Sequence, residues 1–328
     1  MLKWITKDTN INFMGARHFT YALSSLLVIL SFASMYIKGF NFGIDFSGGV
    51  LMEIKSEQPI NVEEIRSKLS VVKLDELNLQ TIGLDGKELM IRAQADNANE
   101  VAQRKAVAEI REILGSGYEY RRVETVGPQV GDELKTAGIV ASVLAILAIA
   151  IYIWIRFEWQ FAVGTLLGLF HDTVITVGLL SFFRFDFSLT TVAAVLTLVG
   201  YSVNDKVVTY DRIRENLKKY RKMPQAELIN KSVNDIFSRT LLTGVTTLVA
   251  VIPLYLWGGD ALESFAFTIL AGLIIGTYSS IYVSAMLACS CATGGIGVCL
   301  CAVAASAAYE YAITLADRSF ADCLKNAK

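Results

Sequence analysis

TAGIVASVLAILAIAIYIWI, residues 136–155, runs twenty positions without a charged side chain. A helix needs about 20 apolar residues to cross roughly 30 Å of hydrocarbon, so this stretch reads as a membrane span. FTYALSSLLVILSFASMYI, residues 19–37, is a second charge-free run, 19 long. Between them lie 98 residues, 38–135, in which charges return at ordinary density. Across all 328 residues, 53% are hydrophobic and only 19% charged; soluble domains average about 25% charged. Further apolar segments at about 161–183, 189–209, 240–257 and 264–287 bring the expectation to six spans.

Lys and Arg in the short connections set the orientation of such a chain. Residues 1–18 carry Lys3, Lys7 and Arg17, and residues 210–239 carry Arg212, Arg214, Lys218, Lys219, Arg221, Lys222, Lys231 and Arg239. The connection 184–188 has only Arg184, and 258–263 has no Lys or Arg. The N-terminus and the 210–239 connection are therefore expected in the cytoplasm, with 38–135 on the far side. The first apolar run exceeds the 7–15 residues of a signal-peptide core and lacks a clean cleavage site, so it is read as an uncleaved span. Net charge, −1, says little, because membrane proteins sort charge by side.

The 38–135 segment has the pattern of a small α+β domain. Val50–Lys55 is strand-like, and Asn61 is placed to cap a helix over 62–70, with Glu64 completing a capping box. Leu79–Leu84 and Glu88–Ala93 are strand-like around an Asp85-Gly86 hairpin signal. Asn97–Leu114 is amphipathic and is stopped by Gly115 and Gly117. Glu119–Val126 is the last strand. The order β-α-β-β-α-β is the ferredoxin-like split arrangement, which many functions share. The division expected is 1–37 (N-terminus and first span), 38–135 (outer domain), 136–287 (spans two to six) and 288–328 (an apolar, Cys-rich tail).

Charges inside spans are costly and usually functional. Asp205, within Asn204-Asp205-Lys206, lies 14 residues after Thr191, about 21 Å along a helix. Tyr201 and Ser202 share its face. A carboxyl group at that depth loses water, which favours its neutral form and lets it take up and release a proton. A fixed polar contact between helices is the alternative. Arg239, at the start of the fifth span, needs a carboxylate or water; it either pairs with Asp205 or snorkels at the boundary. His171-Asp172 sits halfway along the third span. Adjacent helical residues point about 100° apart, so one is expected to face the bundle interior and the other a second subunit.

Other chemistry finds little support. Cys289, Cys291, Cys299 and Cys301 lie among small apolar residues at a spacing unlike zinc sites, so no metal is expected. Gly43, Gly48 and Gly49 lack the Gly-Lys-Ser/Thr of a phosphate loop and read as turns, so no cofactor is expected. No Ser/His/Asp or Cys/His set suggests an enzyme. The basic 212–222 stretch is accounted for by membrane orientation rather than nucleic acid.

Four motifs resemble one family. Phe42-Gly43-Ile44-Asp45-Phe46-Ser47-Gly48-Gly49 resembles the motif after the first span of SecD and SecF proteins. Val126-Gly127-Pro128-Gln129-Val130-Gly131 resembles their lead into the second span. Arg156-Phe157-Glu158-Trp159 with His171-Asp172 fits the third-span region of SecF. Gly200-Tyr201-Ser202-Val203-Asn204-Asp205 and Asp211-Arg212-Ile213-Arg214-Glu215-Asn216 look like SecF rather than SecD. The resemblance covers roughly residues 12–287. It implies a proton-motive-force-driven subunit of the Sec export machinery in the bacterial inner membrane, of the resistance-nodulation-division superfamily. It implies SecD as heterodimer partner, the SecY channel complex, YajC and the insertase YidC as further partners, and translocating preproteins and lipid as contacts. It assigns the proton relay to Asp205 and Arg239, with Tyr201, Ser202, Asn204, His171 and Asp172 as supporting polar residues. Lys206 stands where the family usually has a small hydroxyl residue. Two other readings compete: a proton-coupled half-transporter for small molecules or lipids, and a scaffold in which Asp205 is a packing contact. A 98-residue outer segment leaves little room for the porter domains of efflux pumps.

Overall fold

The computed structural model describes residues 9–72, 74–82, 85–95, 100–157 and 159–284. Along the chain come α1 (Arg17–Lys38), β1 (Asn41–Phe42), α2 (Ile44–Ser47), β2 (Gly49–Lys55), α3 (Val62–Leu69), β3 (Leu74–Ile82) and β4 (Glu88–Ala95). They are followed by α4 (Glu100–Leu114), β5 (Glu119–Val126), α5 (Pro128–Arg156), α6 (Trp159–Phe183) and β6 (Asp186–Phe187). The last helices are α7 (Leu189–Lys219), α8 (Gln225–Trp257) and α9 (Asp260–Ser279), the latter running into a π-helical turn at Ser280–Ser284. Contacts divide the chain into two units, one made of residues 41–143 with 186–192, the other of the remaining described residues.

In the first unit, β2-α3-β3-β4-α4-β5 builds one antiparallel sheet in the order β3-β4-β2-β5. Each helix carries the chain past one intervening strand, the split β-α-β connection. Strand alternation sends Val50, Met52 and Ile54 to one face, where they meet Leu89, Ile91, Ile65, Leu69, Ile110 and Leu114 in a closed core. Asn61 Oδ1 accepts from the backbone N–H of Glu63 at 3.1 Å and Glu64 at 3.4 Å, fixing the start of α3. Gly115, at φ +71°, ends α4 where a Cβ would be strained. Strand β3 begins at Leu74, five residues before the expected Leu79, because its pairing with β4 reaches Ala95. The expected helix start at Asn97, the strand end at Leu84 and Glu158 lie outside the described residues.

The opposite side of the sheet meets a two-stranded parallel ribbon. β1 pairs with β6 through Asn41–Asp186 and Phe42–Phe187. Arg92, projecting from β4, donates to Asp186 Oδ2 at 2.5 Å and to Asn41 Oδ1 at 3.2 Å. Asp45 Oδ2 accepts from the backbone N–H of Leu189 at 2.9 Å, the first residue of α7. The short helix α2 and the glycines around it thus form a built turn: Gly48 and Gly49 both take positive φ, 70° and 118°.

Six helices in the described residues are long and apolar enough to cross a membrane: His18–Lys38, Gln129–Arg156, Phe161–Phe183, Leu189–Lys219, Gln225–Trp257 and Leu262–Ser284. The protein is thus a multi-pass membrane protein with a small sheet-containing domain after the first span. Residues 285–287 of the sixth expected span, the 288–328 tail with its cysteines, and Lys3 and Lys7 lie outside the described residues. The 210–239 connection is mostly helix, with α7 running on to Lys219 and α8 starting at Gln225. Those extensions hold because Tyr210, Ile213, Leu228, Ile229 and Val233 bury one face in a core with Phe13 and Phe157. Asn230 and Asn234 of α8 also clasp the chain before α1, Asn230 Oδ1 accepting from Phe13 N at 2.7 Å and Asn234 Oδ1 from Ile11 N at 2.9 Å.

Small residues let α1 and α6 approach closely. A Cβ placed on Gly178 would lie 2.6 Å from Ser31 Cα, and Ser34 and Ser181 meet between the same helices at 3.4 Å. Backbone atoms cannot yield as a flexible side-chain tip can. Gly178→Ala is therefore expected to cost about 1–3 kcal/mol of stability by overpacking, read as a lowered thermal midpoint of the purified protein. An unchanged midpoint would show that the helices part without penalty.

Candidate functional site

The polar residues of the spans fall into two groups on different faces of α7. On a helix, Ser202 and Lys206 are one turn apart and share a face, while Asp205 points about 100° away from Lys206. The first group gathers around Asp172 of α6, which is 1% exposed. Its Oδ2 accepts from Lys206 Nζ at 2.6 Å, Ser202 Oγ at 2.6 Å and Ser279 Oγ at 2.8 Å. Its Oδ1 meets His171 Nδ1 at 2.9 Å. Lys206, with no exposed surface, also donates to Ser202 Oγ at 2.5 Å and Ser279 Oγ at 2.9 Å. The ammonium has three N–H donors and three acceptors. A charged pair buried at this depth persists only when both members are hydrogen-bonded in this way.

The second group is sparse. Asp205, 9% exposed, accepts one hydrogen bond, from Thr240 Oγ1 of α8 to its Oδ1 at 2.9 Å. Its Oδ2 is buried and has no hydrogen-bond partner among the described residues. Ser280 and Ser284 of the π-helical turn likewise keep buried Oγ atoms without partners among the described residues, and Ser280 faces the Asp205 carboxyl. Such turns widen the helix and recur at functional sites. The turn is braced by Tyr210, whose hydroxyl donates to Ser284 O at 2.9 Å.

The other expected residues are dispersed. Arg239 is exposed, one position before Thr240, and no ion pair joins it to Asp205 among the described residues. Asn204 is exposed and Tyr201 half-buried. Ser202 turns toward Asp172 and Lys206 rather than Asp205. The expectation for His171-Asp172 is corrected: both are buried, and their side chains turn back to bond each other. The 100° between neighbouring residues separates their Cβ directions, not the tips of two rotatable side chains. Sequence reasoning did not pick out Lys206 as a partner of Asp172, nor Thr240, Ser279 or Ser280. One signal was available, a single acid and a single base in neighbouring spans with Ser202 one turn from the base. Among the described residues no group of three or more His, Cys, Asp or Glu is placed to hold a metal.

Comparison with known proteins adds an independent line. A family model described as "Protein export membrane protein SecD/SecF, C-terminal" matches residues 106–293, and one described as "SecD/SecF GG Motif" matches residues 33–60. The "Protein translocase subunit SecF" of Rickettsia rickettsii (strain Sheila Smith) is 43% identical over 288 residues, covering 87% of this chain and 92% of the relative. The protein of the same name from Desulfurispirillum indicum is 44% identical over 284 residues, covering 84% and 90%. A crystal structure of SecDF from Thermus thermophilus, described as a translocon-associated membrane protein, superposes with TM-score 0.78 at 36% identity. It matches 86% of this chain, which spans only 39% of the SecDF chain.

Proposed function

The chain belongs to the SecD/SecF family of protein-export membrane proteins, and on that premise we propose that it is the SecF-type half of a proton-driven export unit. Its curated relatives carry the name of a Sec translocase subunit over most of their length, which favours export over small-molecule transport. The likeness to part of SecDF, of which this chain spans 39%, favours a SecD-type half as its partner. The SecY channel, YajC, YidC and emerging preproteins are the further contacts this role calls for. Eight Lys and Arg within residues 210–239 favour a cytoplasmic location for that segment and for the N-terminus in the inner membrane. The sheet-containing domain then lies on the periplasmic side.

Asp205 carries the reading. Asp205 Oδ2 is buried and makes no hydrogen bond among the described residues, an arrangement costly for an ionised carboxylate. Protonation removes the charge and reverses the hydrogen bond open to the facing Ser280 hydroxyl, which can donate to the ionised form and accept from the protonated one. The two protonation states therefore ask for different arrangements of α7 against the π-helical turn, and alternation between them supplies movement. Arg239 serves as the entry-side cation of this relay, with Thr240 as the group that orients the carboxyl.

The test uses inverted inner-membrane vesicles with and without the chain, supplied with a preprotein and ATP. Vesicles containing it should export more when a proton gradient is imposed, and a protonophore should remove that increment. Equal export in both preparations, with and without the gradient, would end the proposal.

A further inference from the structure

Lys206 and Asp205 are neighbours in sequence, yet their side chains serve different partners. The Lys206 ammonium spends all three donors on Asp172, Ser202 and Ser279, which come from α6, α7 and the end of α9. A lysine stem of four methylenes reaches either face of its helix, so this commitment is set by Asp172 rather than by reach. The groups facing Asp205 are Thr240 and Arg239 from α8, Ser280 from the π-helical turn, and Lys206 on its own helix. Of these, Lys206 is the cation bound to the same stretch of backbone, and a cation brought beside a carboxyl favours its charged form.

We propose that Asp172 is a positioning residue for Asp205: by fixing Lys206 against α6 and α9, it keeps the neighbouring ammonium from pairing with the Asp205 carboxyl. Asp172 and His171 then have a role although neither touches the carboxyl that changes charge. Ser202 and Ser279 share the task, because each bonds both the ammonium and the Asp172 carboxylate. The inference rests on Asp205 being protonated during function.

A hydrophobic carbodiimide, which reacts with protonated carboxyls in apolar surroundings, tests it in native membranes. Labelling of the Asp205 peptide is read by mass spectrometry at pH 7. Asp172→Asn frees Lys206 and should lower Asp205 labelling at least tenfold. Asp172→Asn with Lys206→Met removes the freed cation and should restore labelling to within about twofold of the unaltered protein. A purely structural pair also predicts recovery in the double variant, so Lys206→Met alone separates the two: it lacks the cation and should label like the unaltered protein, whereas a structural role predicts the loss that goes with its broken pair. The Ser202→Ala, Ser279→Ala variant keeps the ion pair but removes two of the three acceptors, and should lower labelling less, in the same direction. It reads the same effect should Asp172→Asn fail to accumulate. Asp172→Asn labelling like the unaltered protein, or single and double variants equally impaired, would overturn the positioning role. An Asp205 that never labels in the unaltered protein instead overturns the proton-carrying reading beneath it.

Discussion

Asp205→Asn is expected to abolish the gradient-dependent part of export while leaving the protein assembled. Asparagine has the shape of the protonated acid. Its carbonyl oxygen still accepts from Thr240, and its amide N–H2, standing where Oδ2 has no partner, donates to Ser280 Oγ. Nothing is overpacked and no cavity opens, so folding is spared the usual penalties of core substitution. An amide does not ionise, so the chain is held in the arrangement that suits the protonated state. The loss should therefore be complete rather than partial. Asp205→Glu, which ionises but moves the carboxyl by one methylene, should retain part of the increment. The measurement is preprotein protection in vesicles with and without an imposed gradient, alongside recovery of the assembled complex. Retention of more than half of the gradient-dependent increment by Asp205→Asn would sink the proton role.

The sequence made the spans legible because insertion depends on local composition. The run Phe19–Ile37 fell inside α1 at Arg17–Lys38, and Thr136–Ile155 inside α5 at Pro128–Arg156. The outer domain was legible for a similar reason. Asn61, Asp85-Gly86 and Gly115 punctuate it, and period-two alternation marks Val50, Met52 and Ile54 as one face. Where polar and apolar residues mix, the pattern is weaker. The charged connection 210–239 does not announce its helical extensions, although Tyr210, Ile213 and Leu217, then Leu228, Ile229 and Val233, repeat at helical spacing. Only Tyr220–Pro224 breaks that pattern.

The site divided along the same line. Asp205 stood out because a carboxyl in an apolar run needs no partner to be conspicuous. Its actual neighbours, Thr240 and Ser280, are uncharged and lie 35 and 75 residues away in sequence. Nothing local sets the register of α7 against α8 or the π-helical turn. The Asp172–Lys206 pair depends likewise on the register of α6 against α7, and on a Ser279 supplied by α9.

That pair should be the costliest point in the membrane part to break from one side. Lys206→Met keeps the length and much of the volume of the side chain, so packing beside Gly168 is little changed. What is lost is the ammonium. Asp172, 1% exposed, keeps only the two serine donors and His171 Nδ1. It must then either stay charged without a counter-ion or take up a proton. Removing one partner of a buried pair costs about 3–5 kcal/mol, which for a part of this size lowers the thermal midpoint by roughly 10 °C. Adding Asp172→Asn removes the stranded charge as well. Neutral groups in place of a buried pair are often as stable as the pair itself, so the double variant should recover most of the lost midpoint. Thermal unfolding of the purified variants decides it. A Lys206→Met midpoint within about 2 °C of the unaltered protein would mean that water or another cation already serves Asp172. A double variant as unstable as the single one would mean that the lysine matters for its packing rather than its charge.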